Sequence, residues 1–411
     1  MDNKEKTIYL HIGMPKTGTT SIQAFLAENR EKLSEIGILY PIKENAENEF
    51  NEHLYNYRGA VLGALAKGIN AYNEYFENYF LNIIEQSDCK NIIISEEILF
   101  LRTADVADVF LKHGFNVKII IYLRKPAEYL ASTWQENVKS VYSVMGLKFR
   151  HSLEQFLDRD IPYNIIFRYI EKLGKGNVIV RPFEKEQWKD GNLIVDFLNI
   201  FGVDFEGAKD FPAQNDYQYN RNFLEFMSIM KCFDMSFERY VKIFHDYMLK
   251  IASDEDKNIY GTCNTENLLE LMNKYIKSEP KVLNTVSLDK ISEITKKWEP
   301  QLNEIAGIFG KETMFCNIMP KNVSEETNKS ADKVFLTPLQ LDVIREQIKN
   351  SNQNTVYYQN LLKKNNNDTN EPSETKTEGK IPFYQYIFSV KNIDEKKVIR
   401  ILGLKFSFKR K

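Results

Sequence analysis

TIYLHIGMPKTGTTSIQ, residues Thr7 to Gln23, is the stretch from which the rest of the chain is read. It divides into an apolar strand (Thr7 to Ile12), a loop bounded by Gly13 and Gly18, and a helix opening on Thr19-Thr20-Ser21. Such a loop delivers free backbone N–H groups at a helix N-terminus, where the dipole and the unpaired donors favour an anion. Glycine at both ends lets the backbone approach that anion with no Cβ in the way. The nucleoside-triphosphate loop is G-x-x-x-x-G-K-[ST]. Gly13 and Gly18 have its spacing, but Thr19 stands where its lysine belongs, and the lysine lies inside the loop as Lys16. A lysine among hydroxyls and two glycines exceeds what a plain turn requires. This is a phosphate cradle of another make.

A second signal lies at Tyr122-Leu123-Arg124-Lys125-Pro126, with Ser132 eight residues after the arginine. Arginine ends an apolar run and proline opens the following helix at its first position. The planar guanidinium suits phosphate oxygens, and a hydroxyl in the helix adds a neutral donor. Alone, an arginine so placed is usually just solvated. Its weight comes from pairing with the loop.

Pro15 to Ser21, PKTGTTS, resembles the 5′-phosphosulfate loop of sulfotransferases that use 3′-phosphoadenosine-5′-phosphosulfate (PAPS). In that family the loop lysine and the following Thr, Gly and Thr groups hold the 5′-phosphate and the bridging oxygen. An arginine and a serine at the separation of Arg124 and Ser132 contact the 3′-phosphate. The resemblance therefore implies Lys16, Thr17, Gly18, Thr19, Thr20, Arg124 and Ser132 as donor-binding residues, with Lys16 also catalytic. Phe183-Glu184 resembles the family's aromatic-Glu element, and Glu184 is read as structural. The resemblance covers roughly residues 7 to 205. The family's late R-K-G element has no counterpart that can be placed.

Sulfuryl transfer is an in-line displacement, so positioning and charge stabilisation supply most of the catalysis, and the chemistry needs no metal. Lys16 is placed to meet charge on the leaving bridging oxygen. The acceptor hydroxyl needs a base, and the family uses either His or Glu. His53, on a polar loop, has a suitable ordinary pKa. Glu96 and Glu97 follow the run Asn91 to Ile94, and strand alternation sends one of them into the cleft and the other out. His11, within the first strand, reads as a core histidine.

The runs at Asn91–Ile94, Val117–Leu123 and Asn177–Arg181 read as buried parallel strands alternating with helices, whose C-terminal ends carry the ligand site. Ile38 to Tyr40 reads as a short strand, and Ser21–Leu33 and Leu54–Ile84 as helical. The fold class is α/β, a P-loop-type parallel sheet flanked by helices, over residues 1–210. Residues 211–362 read as mainly helical, with segments at Asn222–Phe233, Glu266–Ile276 and from Thr337-Pro338 onward. Residues 363–380 form a polar linker. Residues 381–411 form a basic tail in which eight Lys and Arg oppose only Asp394 and Glu395. The tail resembles one found on bacterial enzymes of capsule and lipopolysaccharide synthesis.

The net charge of −2 argues against a general nucleic-acid binder. Four scattered cysteines without a C-x-x-C pair suggest reduced thiols rather than a disulfide framework or zinc site. No run approaches ~18 apolar residues, and the first residues lack a signal-peptide pattern. The expectation is a cytoplasmic bacterial enzyme of polysaccharide biosynthesis. It would move a sulfuryl group from PAPS to a carbohydrate hydroxyl, with peripheral attraction of its tail to an anionic membrane surface. Two rivals stand beside it. A deviant P-loop kinase would need a lysine after Gly18, and a non-catalytic glycan-associated module would not need Lys16, Arg124 and Ser132 intact.

Overall fold

Five apolar runs of the sequence become five parallel strands. The computed structural model describes residues 3–42, 69–101, 106–139, 152–212, 219–231, 233, 235–276, 282–320, 336–350, 388–393, 396–401 and 404–409. Two compact units are distinguished. The first comprises Met1–Tyr129, Ile161–Asn215 and Thr295–Pro320, and the second Leu130–Asp160, Asp216–Ile294 and Lys321–Lys411.

In the first unit the strands are β1 (Thr7–His11), β2 (Ile38–Leu39), β3 (Asn91–Ser95), β4 (Asn116–Leu123) and β5 (Val178–Pro182). Their order in the sheet is β2-β3-β1-β4-β5, and every neighbouring pair is parallel. β1 is thus central, and the chain leaves it first for one side of the sheet and then for the other. The C-terminal end of such a strand is the switch point where open α/β sheets bind ligands. Ile8, Leu10, Ile92, Ile93, Ile94 and Ile119 to Leu123 are buried, as expected of strands covered on both faces.

The helices follow the apolar spacing, with one difference. The segment expected as one helix from Ser21 to Leu33 is two, α1 (Thr19–Glu28) and α2 (Arg30–Glu35). Asn29 separates them, its side-chain amide donating to the Phe25 carbonyl at 2.9 Å. That bond offers the backbone an alternative to continuing the helix. Ile22, Phe25 and Leu26 of α1 pack in a core with Ile93, Tyr122 and Phe197. Burial of each such side chain stabilises by about 1.5–3 kcal/mol. The long helix α3 (Ile69–Gln86) ends on buried Lys6, whose Nζ donates to the carbonyls of Ile84 and Ser87, both at 2.6 Å. Its expected earlier part, from Leu54, lies outside the described residues, as does His53.

Buried Asp196 locks the far edge of this sheet. It accepts from the Tyr122 hydroxyl at 2.7 Å and the Lys189 N–H at 2.9 Å, and pairs with Arg181. His11 is a core histidine: Nδ1 lies 2.8 Å from Ser95 Oγ, and Phe197 sits at 5.2 Å between ring centres. Burial pushes its pKa down to about 3, so the ring is neutral. The unfolded chain binds this proton near pH 6.5 and the native state does not. Stability is therefore fully present above pH 6.5 and falls by about 1.4 kcal/mol per pH unit below it, down toward pH 3. His11→Gln is expected to remove that share of the slope in denaturant midpoints measured between pH 4 and 6.5. An unchanged slope would contradict it.

The second unit is helical from Arg221 to Tyr275, with helices at Arg221–Met230, Phe237–Ile251, Asp254–Tyr260 and Thr265–Tyr275. Asn220, Ser236, Ser253 and Asn264 cap their N-termini with side-chain oxygens, each contributing about 1 kcal/mol. Phe223, Phe226, Phe244 and Tyr247 form an aromatic core. A further helix, Pro338–Asn350, starts where Thr337-Pro338 indicated. The C-terminal stretch forms a three-stranded antiparallel sheet of β6 (Phe388–Ile393), β7 (Lys396–Ile401) and β8 (Leu404–Lys409). Among the described residues no helix is long and apolar enough to cross a membrane.

Candidate functional site

The loop after β1 turns through left-handed backbone at three places. These are Gly13 (φ +52°), Lys16 (φ +70°) and Gly18 (φ +73°). The two glycines are required by space as well as by conformation. A Cβ on Gly13 would lie 2.6 Å from Thr19 Cγ2, and one on Gly18 would lie 2.4 Å from Leu193 Cδ2. Gly18 is also the N-cap of α1, which has no side-chain cap bond. The N-terminus of this ten-residue helix is thus of the kind whose dipole and backbone donors suit an anion. Successive left-handed and right-handed residues turn N–H groups into one concavity, the anion nest.

Lys16 is the exception that carries information. A non-glycine residue in this conformation costs about 1–2 kcal/mol and persists only where its surroundings impose it. Here they do. Arg124 Nη1 donates to the Lys16 carbonyl at 2.7 Å, and the Arg124 N–H meets Met14 Sδ at 3.4 Å. The hydroxyl of buried Thr17 donates to the Met14 carbonyl at 2.6 Å. Thr17 thus spends its side chain on the loop itself and offers outward only its backbone. Thr20 is exposed on the first turn of α1.

Arg124 follows β4 and is held on several sides. Its Nε donates to Glu128 at 3.3 Å, its guanidinium lies 5.6 Å from the centre of the Phe183 ring, and its carbonyl accepts from the Tyr163 hydroxyl at 3.1 Å. The sequence separated Lys16 from Arg124 by more than a hundred residues, and the fold brings them into direct contact. Ser132 lies half-buried on the helix α4 opened by Pro126 (Pro126–Lys139), in the part that belongs to the second unit.

The two strand-end carboxylates separate. The Glu96 N–H donates to the His11 carbonyl at 3.0 Å, continuing the β1–β3 ladder, and its side chain is fully buried. Tyr40 is raised in pKa first by its own burial and then by the charges of Glu96 and Tyr79. Glu97 begins a short helical turn, and its Oε2 accepts from Thr19 Oγ1 at 2.8 Å. Glu97 is therefore the carboxylate brought to the loop.

Sequence reasoning missed what stands behind Arg124. Buried Lys125 pairs with Glu184 at 2.9 Å, their side chains 6% and 2% exposed. Glu184 also accepts from Gln187 and from the Cys316 N–H, both at 2.7 Å. Burial alone would raise its pKa, but these hydrogen bonds and the Lys125 charge bring it down to about 2. The Phe-Glu element thus ties the strand ends to Met314–Cys316, and no local signal in the sequence reports a link of that length.

Fold and loop together define a parallel α/β protein with a phosphate-type loop at the switch point of its sheet. No family model matches the chain. Over 97 residues it is 26% identical to an uncharacterized protein of Archaeoglobus fulgidus, a match spanning 24% of this chain and about a quarter (25%) of that protein. Among solved structures it is similar to a sulfotransferase from Alicyclobacillus acidocaldarius, with TM-score 0.30, 16% identity, and coverage of 55% of this chain and 93% of that one. At these levels neither likeness assigns an activity.

Proposed function

We propose that this chain is a sulfotransferase that takes a sulfuryl group from PAPS to a hydroxyl of a carbohydrate, a bacterial surface polysaccharide or its precursor. The observation that carries the reading is Lys16, held at φ +70° within a glycine-bounded loop by the guanidinium of Arg124. A turn that bound nothing would relax to glycine or to a right-handed conformation there. The donor set suits the group: a lysine, the N–H groups at the start of α1 and a partly buried arginine are all anion ligands.

PAPS brings the transferable sulfuryl group and a stable nucleotide leaving group. Lys16 and the N–H groups at the start of α1 bind the 5′ side and hold positive charge where the leaving oxygen becomes negative. Arg124 directs the rest of its fork to the 3′-phosphate, with Ser132 assigned to the same group. Glu97 takes the proton of the acceptor hydroxyl, since its carboxylate stands at the loop while Glu96 is enclosed. His53, outside the described residues, is the other candidate for that role. Transfer of label from radiolabelled PAPS to polysaccharide acceptors tests the reading. Labelling from ATP instead would replace it with a kinase.

Two expectations follow for variants. Glu97→Gln should lower turnover by about 10²–10⁴-fold, the range for a general base, with little change in nucleotide affinity. If His53→Ala carries that loss and Glu97→Gln is mild, the base is His53. Arg124→Ala should weaken adenosine 3′,5′-bisphosphate by about ten- to a hundred-fold. Because the same guanidinium holds the Lys16 carbonyl, adenosine 5′-phosphate should also weaken, by a smaller factor. Equal losses for both nucleotides would remove Arg124 from the 3′ side.

A further inference from the structure

A cavity of about 350 Å³ lies wholly within the second unit, and four charged side chains converge on it. Glu154 and Asp158 come from the short helix Leu153–Leu157 and the residue that ends it. Arg221 opens the helix Arg221–Met230, and Lys290 lies in the first turn of the helix Leu288–Ile308. The cations sit deep and the acids at the mouth. Side-chain exposure is 11% for Arg221 and 23% for Lys290, against 53% for Asp158, and Glu154 is likewise exposed. Leu157 and Val286 line the cavity with two buried aliphatic patches, and Thr285 and Ser287 add two hydroxyls.

We propose that this cavity binds a neutral saccharide unit. The inference is independent of the reaction proposed above, since it concerns binding alone. The volume falls in the lower part of the roughly 300–1,000 Å³ found for small-molecule sites. Such sites are mostly apolar, whereas this one is mostly polar, so its ligand must bring hydrogen-bonding groups of its own. The formal charges of the lining cancel, two cations against two carboxylates. They are also engaged within the wall. Lys290 Nζ donates to Asp158 at 2.6 Å and to Glu293 at 3.0 Å, and Arg221 Nη1 donates to the Thr285 carbonyl at 2.5 Å. The wall therefore offers hydrogen-bonding capacity rather than net charge. Guanidinium and ammonium groups only donate, ionised carboxylates only accept, and a sugar hydroxyl does both. Adjacent hydroxyls of a pyranose can bridge arginine and carboxylate while its C–H face meets Leu157 and Val286.

Contacts behind the lining hold it in place. Buried Glu225 accepts from the Leu153 N–H at 3.2 Å and lies 3.9 Å from Arg221 Nε. One carboxylate thus ties the arginine to the helix that carries Glu154 and Asp158. Ser287 caps the helix of Lys290, its Oγ accepting from the Lys290 N–H at 3.3 Å. A wall fixed before binding spends little affinity on ordering. The same wall disfavours other ligand classes. Phosphate or sulfate would meet two carboxylates, and like charge brought together costs affinity. A zwitterion such as an amino acid would have to displace the Asp158–Lys290 pair to gain an ion pair of its own.

The test is methyl NMR of the full-length chain labelled at Leu and Val, with the Leu157 and Val286 signals assigned by Leu157→Ile and Val286→Ile. Glucose, galactose, N-acetylglucosamine, inorganic phosphate and glycine are titrated separately. At least one of the sugars is expected to shift both signals with a dissociation constant on the order of millimolar, the range open to so small a ligand. Phosphate and glycine should leave them in place. Glu154→Ala, at an exposed position, should weaken the sugar about tenfold, the low end for a hydrogen bond to a charged group. Lys257→Ala, exposed on another helix of the same unit, should change nothing. Signals that no sugar shifts, phosphate or glycine shifting them as strongly as a sugar does, or equal sugar affinity in Glu154→Ala and wild type would each overturn the proposal.

Discussion

Lys16→Ala is expected to lower turnover by two to three decades while leaving the protein folded. Removal of one preorganised donor from a developing negative charge costs about 2.7–4 kcal/mol in the transition state. The backbone of the same residue adds a second readout. At φ +70° any side chain is strained, so Lys16→Gly should be as inactive as the alanine variant yet more stable, by about 1 kcal/mol. A catalytic lysine held in a strained turn predicts this opposite movement of activity and stability. Near-normal turnover in purified, folded Lys16→Ala would remove the residue from the chemistry. A loss of stability in Lys16→Gly would show that its conformation is not imposed on it.

Breaking the pair behind the site should have the largest effect on folding. Lys125→Ala leaves the Glu184 carboxylate enclosed without its cation, and the cost of orphaning one member of a buried pair is about 3–5 kcal/mol. In a protein of 411 residues that lowers a thermal midpoint by roughly 3–6 °C. Replacing both partners, as Lys125→Met with Glu184→Leu, should recover part of the loss. It cannot recover all of it, because Glu184 also accepts from Gln187 and the Cys316 N–H. A Lys125→Ala variant within 1 kcal/mol of wild type would mean that water reaches the carboxylate and screens it.

What was legible in the sequence, and what was not, divides by the range of the interaction. β1, β3, β4 and β5 were readable because a strand buried on both faces must be continuously apolar, as Ile92 to Ile94 and Ile119 to Leu123 are. The loop was readable because positive φ at Gly13 and Gly18 selects glycine. Asn29 was less so: a short polar residue in an amphipathic run is compatible with a helix, and only its bond to Phe25 divides the helix in two. Strand alternation separated Glu96 from Glu97 in principle, but which of them meets Thr19 depends on the helical turn that starts at Glu97. The contacts Arg124 to Lys16 and Glu184 to Cys316 join residues more than a hundred apart, and nothing in the local pattern encodes them.

The donor site is the central claim, and the 3′-phosphate is the group that distinguishes PAPS from ATP. Calorimetric titration of adenosine 3′,5′-bisphosphate, of adenosine 5′-phosphate and separately of ATP with magnesium into the wild-type chain tests it most directly. The arginine contact to the extra phosphate predicts binding of the bisphosphate about ten- to a hundred-fold tighter than binding of adenosine 5′-phosphate, and no comparable affinity for magnesium ATP. Equal binding of the bisphosphate and the 5′-phosphate, or tighter binding of magnesium ATP, would contradict it.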